Sequence, residues 1–233
     1  MTAVFVFPGS PLLIPEISGA DAVGLALRSA VSSALQEAGY TDGTQVAGTC
    51  YLVFQPLPAE CTAPECENSL APWGAWDTTV DKLAADDPCH ALYLPELVAR
   101  YICNQRGLIF QDLEVSATMP QPDLLHDEDV VFVVLEGSRA SDPDGPLQLS
   151  DSAPAASEIC QQIIQGHITA EEVDLDTLRA ASVAQPELWQ QLAGLFSNLR
   201  ELRNTEAKIW LQDSSTGFEY FVASCRWEAS HNG

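Results

Sequence analysis

Residues 130–135 read VVFVVL, an unbroken apolar run in which all but two positions are valine's β-branched kind. A strand with one wet face alternates apolar and polar side chains. A strand covered on both faces has no reason to, so this run belongs in the middle of a sheet with layers above and below it. Residues 3–7 (AVFVF) are a second buried strand, and residues 49–55 (TCYLVFQ) a third, stopped by Pro56 and Pro58. Between the first and the third, residues 18–38 place Val23, Leu27, Ala30, Val31, Ala34, Leu35 and Ala38 at three-and-four spacing, the period of a helix with one buried stripe. Ser18 is the expected cap at its start, and Gly39 suits the left-handed turn at its end. Strand, helix and strand in that order predict a parallel pair joined by a right-handed crossover.

Beyond residue 55 the pattern loosens. Residues 56–90 hold five prolines (56, 58, 64, 72 and 88), Trp73, Trp76 and three of the cysteines, and read as an excursion over the sheet with a short helix at 78–85. The two tryptophans are expected in the core. A helix follows at 91–105 with Pro95 in its first turn, then a strand at 108–115. Residues 136–152 are polar and rich in Gly, Pro, Ser and Asp, a loop of a length that usually has a function. Helices are predicted at 153–165, 174–182 and 185–199, the last with Pro186 at its first position and Leu188, Leu192, Leu195, Phe196 and Leu199 as its buried stripe. Strands at 207–211 and 218–227 form a hairpin through the turn 213–217. The expected fold is one α/β domain over residues 1–233, a mostly parallel (mixed) central sheet flanked by helices with a C-terminal β-hairpin, and a disorder-prone tail at 228–233.

Net charge excludes some partners. With 33 acidic and 10 basic side chains the chain carries −23, which argues against a basic surface for nucleic acid or anionic membrane. No stretch reaches the roughly 20 apolar residues of a membrane span, and the N-terminus lacks the basic start and apolar core of a signal peptide. The expectation is a cytoplasmic protein whose seven cysteines are reduced. Cys103, Cys160 and Cys225 fall in helix and strand patterns as small buried hydrophobes.

The exit of the first strand reads Pro8-Gly9-Ser10-Pro11-Leu12-Leu13-Ile14-Pro15-Glu16. Here the chain resembles the class III extradiol dioxygenase superfamily in its B-type subunits, most closely an actinobacterial branch whose members open with a strand followed by Pro-His-Pro-Pro-Leu-Leu-x-Pro-Glu. The second half carries further short likenesses in residues 130–138, 174–178 and 217–223 (GFEYFVA). The resemblance implies an extradiol dioxygenase-like α/β fold of that B type and an Fe(II) cofactor. It also implies that the family's iron-binding histidine position is Gly9 here, so that the chain is a pseudoenzyme lacking that chemistry.

The residues themselves agree on the missing ligands. Such an iron site needs two imidazoles and a carboxylate on one face of the metal. The four histidines are His90, His126, His167 and His231, and none falls at the exit of the first or third run. They read as surface or capping residues. Cys61, Cys66, Cys89 and His90 are the metal-like grouping of the sequence. The Cys61–Cys66 gap sits at the outer edge of zinc spacings, and the adjacent Cys89 and His90 point apart, so free thiols are favoured over zinc or a Cys61–Cys66 disulfide. No phosphate loop, dinucleotide fingerprint or nucleophile elbow occurs.

One location still favours a pocket. In an open α/β sheet ligands bind beyond the carboxyl ends of the strands. Those ends bring Gly9 and Ser10 towards Gln55, Glu136, Ser138 and Arg139, with Arg139 able either to take a small anionic metabolite or to pair with Asp142 or Asp144. The sequence therefore predicts a catalytically degenerate protein that keeps a cleft for a small molecule or partner. A metal-dependent dioxygenase or hydrolase with other ligands is one alternative. A purely interactional homodimer is the other.

Overall fold

β1 (Thr2–Phe7) is buried at all six positions and runs beside β4 (Val130–Val134), buried at all five, in parallel register with Phe5 opposite Phe132. The computed structural model describes residues 2–55, 68–87, 91, 93–141, 147, 149–203, 205 and 207–227. Among these, β2 (Gln45–Val53) pairs parallel with β4 on one side and with β3 (Ile109–Ser116) on the other. β6 (Tyr220–Trp227) lies antiparallel against the free side of β1, and β5 (Lys208–Asp213) antiparallel against β6. The result is a six-stranded mixed sheet in the order β3-β2-β4-β1-β6-β5. The three apolar runs share it, with their carboxyl ends at one edge.

Alternate side chains of the central strands feed two cores. Phe5, Phe132 and Leu52 point to the layer formed by α2 (Ala22–Glu37) and α3 (Leu94–Gln105), where Leu27, Val31, Leu97 and Val98 meet them. Val4, Val6, Val131 and Val133 point to the opposite layer of α4 (Ala153–Ile164), α5 (Leu175–Ala180) and α6 (Pro186–Arg203), against Cys160, Ile163, Trp189 and Leu192. Phe132 anchors the first layer, its ring 5.4 Å from Phe5 and 5.8 Å from Phe7. Each such pair contributes about 0.5–1.5 kcal/mol beyond the area it buries. Cys50, Cys103, Cys160 and Cys225 are buried free thiols. Cys61, Cys66 and Cys89 lie outside the described residues, as does the tail at 228–233.

Five expectations are corrected. β1 and β2 run parallel but are not a pair, because β4 lies between them in the sheet. Ser18 does not cap α2: it ends a separate turn, α1 (Pro15–Ser18), and donates to the Leu12 and Ile14 carbonyls. Gly19 at φ 56° then breaks the chain, and Asp21 caps α2 through Gly24 N–H at 2.8 Å. β2 starts at Gln45, before its apolar run, because Gly48 makes room for a crossing chain. A Cβ there would stand 2.2 Å from the Glu128 carbonyl oxygen, and the register of β2 against β3 slips at this place. Residues 78–85 form no helix; single bridges tie Thr79 to Ser69 and Ala84 to Phe110 in extended chain. Trp73 packs on the α2/α3 core, whereas Trp76 is 80% exposed rather than buried.

The described part of the excursion is held by Leu70, Val80 and Leu83, which pack into the first core, and by charge. Arg100 of α3 is 1% exposed and donates to both oxygens of Asp87, at 2.5 and 3.1 Å, and to Glu96 at 2.9 Å. Asp87 Oδ2 also accepts Leu83 N–H at 2.9 Å. Burial opposes the charge of Arg100, but its bonds to Asp87 and Glu96 and their negative charge more than offset it and hold the guanidinium ionised. No described helix is long and apolar enough to cross a membrane.

Candidate ligand site at the strand exits

Adjacent strands β1 and β4 send their chains opposite ways. From β1 the chain crosses one face through α2 to reach β2; from β4 it crosses the other face through α4, α5 and α6 to reach β5. A crevice opens at the carboxyl edge wherever neighbouring connections diverge in this manner. Here it is a cavity of ≈ 120 Å³. Gly9 and Pro11 enter from β1, and Glu136 and Arg139 from β4. Leu94 and Pro95 close it from the first turn of α3, and Ala184 and Gln185 from the residues just before α6. The positive ends of two helix dipoles thus border it.

Its polar groups are few and defined. Arg139 Nη2 meets Glu136 Oε2 at 3.4 Å, with the two side chains 38% and 18% exposed. That contact leaves Arg139 Nε buried with no hydrogen-bond partner among the described residues. Burial raises the pKa of Glu136 above the ordinary carboxylate value, and the charge and hydrogen bond of Arg139 pull it part of the way back. Trp189 Nε1–H donates to the Glu136 carbonyl at 2.9 Å and fixes that residue's backbone to α6. Gln185 is 8% exposed and its amide donates to the Gln55 carbonyl at 3.4 Å, bringing the exit of β2 to the same place.

The expected site residues divide accordingly. Gly9, Glu136 and Arg139 line the cavity, whereas Gln55 is joined to it only through its carbonyl, which accepts from the lining residue Gln185. Ser10 is instead a cap, its Oγ accepting Leu12 N–H at 3.3 Å. Ser138 is a strut, donating to the Ala181 carbonyl at 2.6 Å and accepting Ala140 N–H at 3.1 Å. Gln185 and the start of α3 join the site without a sequence expectation, although Pro186 and Pro95 mark where two helices begin and so where their free amide ends lie. No protein-family model and no curated protein matches the chain.

The residues present do not fit a two-histidine, one-carboxylate iron set. Among the described residues, the cavity's one carboxylate already faces a guanidinium, and no imidazole lines it. His126 belongs to the other edge of the sheet: its N–H donates to Asp129 and its carbonyl accepts from Thr2, at the start of β1. His167 follows α4, its N–H bonded to the Gln162 carbonyl. His90 and His231, Asp142 and Asp144 lie outside the described residues. At Gly9 even a Cβ would stand 3.0 Å from Val134 Cγ1 and 3.1 Å from Pro95 Cβ. A Gly9→His variant is therefore expected to lose about 1–3 kcal/mol by overpacking and to gain no iron. Urea unfolding and elemental analysis check both parts; an undiminished midpoint with stoichiometric iron would refute them.

Proposed function

We propose that this protein is a catalytically degenerate relative of the extradiol dioxygenases, which keeps the cavity between β1 and β4 as an iron-free binding site for a small anionic molecule. The observation that carries the reading is a half-exposed guanidinium in that cavity, Arg139, held among the described residues by one long contact of 3.4 Å to Glu136. A guanidinium is the group that takes a carboxylate or phosphate in a forked contact. The helix starts on two sides add to the attraction locally, while the distant acidic surface is screened over about 8–10 Å.

A ligand that binds only the folded state raises its melting temperature. In a panel of small organic acids and inorganic anions, at least one is expected to do so for the native protein and none for Arg139→Ala. The purified protein is expected to hold no stoichiometric iron and to leave catechols intact. A panel without any shift, or a shift that survives Arg139→Ala, would sink the binding reading. One iron per chain with ring-cleaving activity would sink the degenerate one.

A further inference from the structure

We propose that the ligand of this cavity is a small monocarboxylate with an apolar body, seated on Arg139, and that the site takes up one proton on Glu136 as it binds. The inference rests on the reading of the cavity as an anion site and narrows it to one chemistry.

Size and lining come first. A cavity of ≈ 120 Å³ is somewhat smaller than the one of about 150 Å³ that takes benzene, a size that suits a short acid. Leu94, Pro95, Pro11, Val134 and Ala184 give it an apolar wall. An inorganic phosphate would leave that wall facing oxygen atoms with nothing to bond. A short branched hydrocarbon would cover it.

Charge comes second. Among the described residues one guanidinium serves the cavity, and Glu136 stands against it at 3.4 Å. An incoming carboxylate makes a second acid on a single cation. Two carboxylates in one half-buried place do not both stay ionised, so one takes a proton. Glu136 is the one disposed to do so, because burial already favours its neutral form. Protonated, it becomes a donor, and the site then offers O–H, guanidinium N–H and a net charge that matches a monoanion. A dianion would exceed it.

Other charged groups near Glu136 do not supply a second cation. Just before β6, Glu219 is engaged by Ser157 Oγ, Gln212 Nε2 and Ser138 N–H. Tyr220 of β6 has its pKa raised, by burial first, and Glu136 contributes to the rise, so it stays neutral. From α3 the cavity receives Leu94 and Pro95, with Glu96 turned to Arg100. From the start of α6 it receives Ala184 and Gln185, with Glu187 bonded to Arg179.

Isobutyrate and inorganic phosphate are the probes, titrated calorimetrically into the whole chain at about pH 6, 7 and 8, in buffers of different ionisation enthalpy. Isobutyrate is expected to bind with uptake of about one proton, and its affinity to fall by about tenfold per pH unit once pH exceeds the pKa of Glu136. Phosphate is expected not to bind. Glu136→Gln is expected to keep isobutyrate affinity while flattening the pH dependence, and Arg139→Gln to abolish binding with the unliganded melting temperature little changed. Phosphate binding that depends on Arg139, without isobutyrate binding, would overturn the monocarboxylate and leave the anion site standing. Isobutyrate binding with no proton uptake, or an unaltered pH profile in Glu136→Gln, would overturn the role of Glu136. Isobutyrate binding that Arg139→Gln leaves intact, or binding of neither probe, would overturn the proposal; in the second case the wider anion panel decides whether the site itself falls with it.

Discussion

Arg100→Met is expected to destabilise the protein by about 3–5 kcal/mol at neutral pH, the cost of stranding a buried charge. Asp87 and Glu96 are 3% and 6% exposed, and Arg100 is their cation. Methionine fills the space of the stem but leaves two carboxyls away from water. The loss is also expected to be pH-dependent, with a sign that a packing defect would not show. Without the guanidinium both acids bind protons more tightly in the folded than in the unfolded chain. Their contribution is then intact below the ordinary carboxylate range and lost as pH rises through the raised folded values. Burial already raises Glu96 in the native protein, against the opposing pull of Arg100. Urea titrations of both proteins at about pH 5 and 7 decide it: the gap between variant and native should shrink at the lower pH. A gap that is constant or absent would mean that the triad is not what holds the excursion to α3.

Trp189→Ala is expected to cost about 3–5 kcal/mol. Its ring is fully buried, packs edge-on against Phe221 at a centroid distance of 5.6 Å, and lies at the centre of the α4–α6 layer. Its indole N–H also holds the Glu136 carbonyl. Trp189→Phe separates the two contributions. It keeps most of the packing and orphans the carbonyl, for about 1–3 kcal/mol. If the Trp189 bond positions the loop that carries Glu136 and Arg139, Trp189→Phe should also weaken the isobutyrate-induced rise in melting temperature. A phenylalanine variant of full stability would show that the bond is replaced by water and positions nothing.

The layered α/β arrangement is readable in the sequence because residues 3–7 and 130–135 carry no polar residue to confuse the period, and because α2 and α6 each show one clean stripe. That β1 and β2 run parallel follows from it, but not that β4 enters between them. What escapes is what depends on chains far apart in sequence. Gly48 looks like a strand breaker until the Glu128 carbonyl is seen crossing above it. Residues 78–85 have helix-like composition, but Asp87 takes the Leu83 amide and Phe110 takes the neighbouring backbone. In the site, Gly9, Glu136 and Arg139 are legible as strand-exit residues. Ser10 and Ser138 are not separable from them, since a hydroxyl that caps a turn and one that meets a ligand look alike in sequence. Gln185 goes unseen because a helix start close in space is distant in the chain.

The placement of β1 has a consequence for synthesis. This strand, apolar in all but its first residue, leaves the ribosome long before its two neighbours, residues 130–134 and 220–227. At about 5–20 residues per second, the nascent chain carries an unpaired, aggregation-competent strand until its parallel partner emerges, and one open edge until β6 follows. Chaperone dependence during translation should therefore track the delay before β6 appears, and a chain stalled short of residue 220 should be recovered from the insoluble fraction even though every described helix and the parallel part of its sheet have already been made.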